Sequence, residues 1–172
     1  MDRLLAYGTE EARTRSFGLV SPETAARLTG LELLQGLLDG SHPEPPFAEV
    51  ADIWPASVKR GSIIFEARPS ARFFNPMGVV HGGWTAMLLD SAMGCAVHSA
   101  LGVGQSYTTT DLHTTFVKAV RDTTGRIRCE ANLLHLGRRT ATAEGRVYDS
   151  DGTLLAHGSE SCLIFSTTPG SG

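Results

Sequence analysis

"NPMGVVHGGWTAMLLDSAMGCAVHSAL", residues 75–101, decides the fold. From Trp84 to Val97 almost every side chain is small or apolar, which predicts a helix over about residues 82–100, buried on most sides. Asp90 stands in its middle, with Ala86, Met87, Met93 and Gly94 as neighbours at helical spacing. An unpaired buried charge is costly, so this carboxylate needs a partner or a task. One reading is structural: a salt bridge to an arginine, or hydrogen bonds at a subunit contact. The other is chemical, since a carboxylate in an apolar setting is a route to a general base.

Gly82 and Gly83 stand where this helix starts. The first N–H groups of a helix lack intrahelical partners, and the helix dipole adds partial positive charge there. Glycine lets an oxygen come close, so the pair can either receive a carbonyl that turns negative or merely relieve crowding. Asp90 lies eight residues beyond Gly82, a rise of about 12 Å. A carbonyl held at the helix start therefore cannot reach the carboxylate of the same helix. If both act on one substrate, the carboxylate comes from a second subunit, and a two-fold dimer is implied.

Working outward, "SVKRGSIIFEARP" before the helix reads as one strand with a slip near Gly61. After Gly104, "SYTTTDLHTTFVKAV", "GRIRCEANLLHL", "RTATAEGRVYD" and "TLLAHGSESCLIF" read as four more strands, whose short links predict antiparallel neighbours. The fold class is therefore α+β: an antiparallel sheet of about five to six strands wrapped around a long central helix. "SPETAARLTGLELLQGLLDG" (21–40) adds an N-terminal helix, with Ser21 as N-cap, Pro22 at the first position and Gly40 at the end. A proline-rich turn, "SHPEPPF", follows it. We divide the chain into an N-terminal helical extension (1–48), the main domain (49–166) and a loose tail (167–172).

The 172 residues, 41% hydrophobic, suit one domain with a real core. A net charge of −3 offers no basic field for nucleic acid. No apolar run of signal-peptide or membrane-span length occurs, so a cytoplasmic protein with no membrane partner is expected. The three cysteines, Cys95, Cys129 and Cys162, lack paired spacing and read as reduced thiols. The six histidines form no metal-ligand motif; Asp111 and His113 share a strand face but lack a third partner. No nucleophile elbow or phosphate-binding loop is present.

The stretch 75–101, with "YTTTDLHTTFVKAV" and "GRRTATAEGRVYDSDGTLLAH" after it, resembles the PaaI-like acyl-CoA thioesterases of the hotdog-fold superfamily over about residues 50–165. The resemblance implies a helix wrapped by an antiparallel sheet, a homodimer at minimum with a tetramer as the further option, and an active site at the dimer interface. It implies Asp90 as general base or nucleophile, and the Gly82 N–H, with Gly83 beside it, as the group that polarises the thioester carbonyl. Asn75 would orient water or substrate, and His81 would line and support the site. Thr109, or Thr108 if the loop shifts by one residue, would contact the water. Trp84 is expected to line the acyl pocket with Met77 and Met87, or to be core; Arg138 and Arg139 are expected near the coenzyme A phosphates. The partner is an acyl-CoA substrate, of which coenzyme A is a part, and no cofactor or metal is expected. The alternatives on this fold are a non-catalytic acyl-CoA-binding protein and a dehydratase or hydratase.

Overall fold

The apolar segment forms α4, Gly82–His98, in a computed structural model that describes residues 15–167. Leu88, Leu89, Ala92, Met93, Ala96 and Val97 are wholly buried along it. Each such leucine contributes about 1.5–3 kcal/mol relative to exposure. The strands are β1 (Ile53–Lys59), β2 (Ser62–Ala67), β3 (Gln105–Phe116), β4 (Ile127–Leu136), β5 (Thr140–Tyr148) and β6 (Leu154–Ser166). They form one antiparallel sheet in the order β1-β2-β4-β5-β6-β3, and α4 packs against all six strands. Close approach of helix to sheet is possible at Gly145, where a Cβ would meet Leu89 and Met93 at 3.0 and 3.1 Å. This is the α+β architecture expected from the helix, and the hotdog arrangement that the resemblance implies.

Two strand expectations need correction. The slip near Gly61 is a hairpin turn: Gly61 adopts φ +77°, and Ser62 pairs with Lys59. One strand is thus two, because only a positive-φ residue lets so short a link reverse the chain. The second concerns β3 and β4, which are not neighbours. β3 runs along the far edge beside β6, while β4 inserts between β2 and β5. Residues 117–126 cross between them, fastened where the Val117 and Lys118 N–H groups donate to the Leu155 carbonyl.

The segment 21–40 is two helices, α1 (Pro22–Ala25) and α2 (Gly30–Asp39). Thr29 starts the second with a capping box: its hydroxyl accepts from Glu32 N–H, and Glu32 accepts from Thr29 N–H. That cap competes with helix continuation and breaks the run at 26–29. The prolines after Gly40, where the sequence predicts only a turn, hold a further helix, α3 (Pro46–Ala51). Arg15 ties the extension down. It makes an ion pair with buried Glu44 at 2.8 Å, donates to the Ile53 carbonyl at 2.9 Å, and lies over the Phe17 and Trp54 rings. Residues 1–14 of the proposed extension, and 168–172 of the proposed tail, lie outside the described residues.

Gly30 sets how closely α2 approaches α4. Its N–H donates to the Leu101 carbonyl, and a Cβ there would collide with the His98 backbone carbonyl. Since backbone must move to make room, Gly30→Ala is expected to destabilise the fold by about 1–3 kcal/mol. A lower urea midpoint with an unchanged slope checks this.

Candidate active site

The loop before α4 is built around Asn75. Its Oδ1 accepts from the N–H groups of Met77 (3.0 Å) and Val79 (3.3 Å), and its backbone N–H donates to the Val79 carbonyl. The amide oxygen is therefore spent on shaping the loop, which leaves the NH2 end for other partners. His81 is the N-cap of α4, an unusual residue for that place. Its Nδ1 accepts the Gly83 N–H at 2.9 Å, so its proton sits on Nε2.

The two glycine N–H groups are thereby told apart. Gly83 N–H is taken by His81, and Trp84 N–H by the His81 carbonyl. Gly82 N–H has no acceptor among the described residues. It is the open donor at the helix start, beside the half-exposed Phe116 ring, which a Cβ on Gly82 would meet at 3.0 Å.

Asp90 is half-buried and has no cation partner among the described residues, so the salt-bridge reading of it finds no support. Its Oδ1 accepts from the Thr109 hydroxyl at 3.1 Å. Between the two threonines the structure brings Thr109 to the carboxylate and leaves Thr108 exposed on β3. A bulge follows at once, between Thr109 and Asp111, and reverses which β3 side chains face the helix. Asp111 and His113 lie opposite Ser161 and Ser159 and are exposed, on the face turned from α4.

Behind Thr109 stands a group that sequence reasoning misses. Glu160 of β6 is buried, and its Oε1 lies 2.9 Å from Thr109 Oγ1 and accepts from the Cys162 thiol at 2.9 Å. Burial, reinforced by the Asp90 charge and opposed by the two donors, pushes its carboxyl up to about 7. Desolvation also pushes Cys95 up to about 12 and Tyr107 well above the usual phenol range. A signal for Glu160 does exist. In "AHGSESCLI" (156–164) alternate residues are Ala156, Gly158, Glu160, Cys162 and Ile164, an inward-facing row interrupted by one carboxylate.

Asp90 and Thr109 lie on a cavity of about 220 Å³. Ser91 and Cys95 of α4 and Tyr107 of β3 continue its wall, with Pro55 and Phe65 from the first hairpin. The far side is closed by Leu37, Glu44, Pro45, Phe47 and Ala48, all from the N-terminal extension. The side chains expected at an acyl pocket lie elsewhere. Trp84 is core: it is 3% exposed, its indole N–H donates to the Ala51 carbonyl at 2.9 Å, and it stacks on Phe73. Met77 and Met87 are exposed beside the helix start, outside the cavity wall. Arg138 and Arg139 are exposed at the β4–β5 turn, just before Thr140, which pairs with Leu163 and so shares a row with Thr108. Within one chain the carboxylate meets a cavity and Thr109, but not the open Gly82 N–H.

The chain is similar to known proteins in sequence and in fold. The family model of the Thioesterase superfamily matches residues 77–156, the segment from the loop to β6. The proofreading thioesterase EntH of Klebsiella pneumoniae is 31% identical over 121 residues, spanning 70% of this chain and 86% of that protein. Among solved structures, a phenylacetic acid degradation-related protein of Ralstonia eutropha is 27% identical, with TM-score 0.69 over 76% of this chain and 98% of its own. The E. coli PaaI protein shares the fold at TM-score 0.68 and 16% identity, over 80% of this chain and 94% of its own.

Proposed function

Because this chain belongs to the thioesterase superfamily, as a PaaI-like hotdog thioesterase, we propose that it hydrolyses acyl-CoA thioesters at a site completed by two copies of itself. The observation that carries this reading is the separation of two matched halves. Asp90 faces a cavity with no cation partner among the described residues, and the open Gly82 N–H waits about 12 Å away along the same helix. A two-fold partner turns that mismatch into two complete sites. The edge strand favours such a partner. Both edge strands carry a bulge, but β3 has twelve residues with no proline or lysine, whereas the opposite edge, β1, has seven and contains Pro55. Leu112, Phe116, Met77, Met87 and Phe74 leave exposed apolar surface around the edge strand and the helix start.

In the reaction so built, the thioester carbonyl oxygen accepts the Gly82 N–H of one copy, and Asp90 of the other removes a proton from water as it attacks. The negative charge that develops on the oxygen meets the positive end of the α4 dipole. Thiolate then leaves without needing an acid. Coenzyme A enters as part of the substrate, with Arg138 and Arg139 in the role of phosphate contacts. The acyl group occupies the cavity. At about 220 Å³ it falls below the range of about 300–1,000 Å³ typical for drug-sized ligands, which suits short or single-ring acyl groups.

Thiol release across a panel of acyl-CoAs, from short alkyl to phenylacetyl to long alkyl, tests the proposal. Saturable turnover peaking on the short and aryl members is expected. Saturable binding without turnover would replace it with the acyl-CoA-binding reading, and formation of an unsaturated product with that of a dehydratase. Phe47→Ala should open the end of the cavity. Each added methylene buried there contributes about 0.8 kcal/mol, so a chain two carbons longer gains about tenfold in kcat/KM relative to wild type.

A further inference from the structure

Thr109 carries a single hydroxyl proton, yet its Oγ1 lies 3.1 Å from Asp90 Oδ1 and 2.9 Å from Glu160 Oε1. A hydroxyl can donate to one oxygen only. Both contacts are hydrogen bonds at once only if one of the two carboxyls holds a proton and gives it to Thr109. The surroundings choose between them. Asp90 is half-buried and opens on the cavity. Glu160 is 1% exposed, and its Oε2 is buried with no hydrogen-bond partner among the described residues. An orphaned oxygen costs less on a neutral acid than on a carboxylate.

We infer that Glu160 is a positioning residue for hydrolysis: as the neutral acid it donates through Oε1 to Thr109 Oγ1, which commits the threonine proton to Asp90 Oδ1 and holds that carboxylate ionised and aimed at the cavity. The inference rests on the role proposed for Asp90. Glu160 does not line the cavity and touches no reacting atom; it acts only through Thr109. The Cys162 thiol is pushed up by burial and by Glu160 itself, so it stays a donor to Oε1 in either state.

The groups that face Glu160 are Asp90 and Cys95 on α4, Tyr107 and Thr109 on β3, and Cys162 on its own strand; its partner on β5 is Ala143. Cys95 and Tyr107 stay neutral far above neutral pH. Near neutrality the Glu160 carboxyl, pushed up by burial, can change charge. When Glu160 loses its proton, at about 7, the Thr109 hydroxyl turns towards the new charge. Asp90 then loses its donor and gains a like charge behind it.

The test has two arms. In the first, kcat of the wild type on its best thioester falls about tenfold between pH 6 and 8.5, the scale of one hydrogen bond to a charged group, with KM unchanged. In Glu160→Gln the amide N–H donates to Thr109 at every pH. Activity at pH 6 is retained and the alkaline fall disappears, whereas Glu160→Ala is impaired throughout. An alkaline fall that persists in Glu160→Gln overturns the inference. The second arm needs no turnover: an infrared carbonyl band of a protonated carboxyl is present at pH 6, lost by pH 8.5, and absent in Glu160→Gln. A wild type without that band at pH 6 also overturns the inference. A wild type that shows the band but releases no thiol refutes the thioesterase reading instead, so the two failures are distinguishable.

Discussion

Asp90→Asn is expected to lower kcat for thiol release by about 10²–10⁴-fold, the range for removing a positioned general base. The substitution is nearly isosteric, and its amide oxygen still accepts from Thr109 as Asp90 Oδ1 does at 3.1 Å. KM, thermal stability and oligomeric state should therefore hold, which isolates the chemistry from the fold. A loss in kcat and kcat/KM together, with KM fixed, is the mark of an interaction made only in the transition state. Activity that survives would reduce Asp90 to a structural hydrogen-bond acceptor. The same residue separates base from nucleophile. In a single turnover in heavy-oxygen water, a base leaves all the label in the free acid. A nucleophile forms an anhydride whose hydrolysis can leave label in the Asp90 carboxylate, read by peptide mass.

Much of this site is legible in the amino-acid sequence, because its parts are local. Helix α4 declares itself through fourteen nearly uninterrupted small or apolar residues, and Asp90 stands out because it violates that pattern. Once both groups are asked to serve one substrate, the need for a second subunit follows from helix rise alone. What stays hidden depends on non-local pairing or on residues used against type. β3 and β4 are consecutive, yet β5 and β6 lie between them in the sheet, and no local signal orders edges. Gly61 hides a hairpin because the slip in alternation there, Val58 against Ile63, Phe65 and Ala67, fits an irregularity in one strand as readily as a turn between two. The resemblance names the Gly82 N–H, but His81 is an uncommon N-cap, so no local signal shows that it takes the Gly83 N–H and leaves Gly82 open. The far wall of the cavity comes from residues 37–48, remote in sequence and legible only as a separate extension. Glu160 is visible in its strand's alternation, but it acquires meaning only once the Thr109 bulge brings it behind Asp90.

Gly82→Pro should remove the other half of the site without disturbing its frame. Gly82 is the first residue of α4, the one helical position where proline is favoured and where the missing N–H breaks no intrahelical bond. His81 before it already lies at φ −60° and ψ 133°, the extended region that a following proline requires. The new Cβ meets the Phe116 ring, which is 55% exposed and free to shift. The substitution deletes that donor at a position suited to proline, and kcat should fall about 10²–10³-fold, as for an oxyanion donor. Gly82→Ala, which crowds the ring equally but keeps the N–H, should stay near wild type. Mixing the two inactive proteins then tests where the halves meet. In a heterodimer of Asp90→Asn and Gly82→Pro, one site carries both defects and the other carries none. Equal mixing gives half heterodimers with one intact site each, so about a quarter of wild-type activity should return. If carboxylate and donor served the same site from within one chain, every site would carry one defect, and mixing would restore nothing.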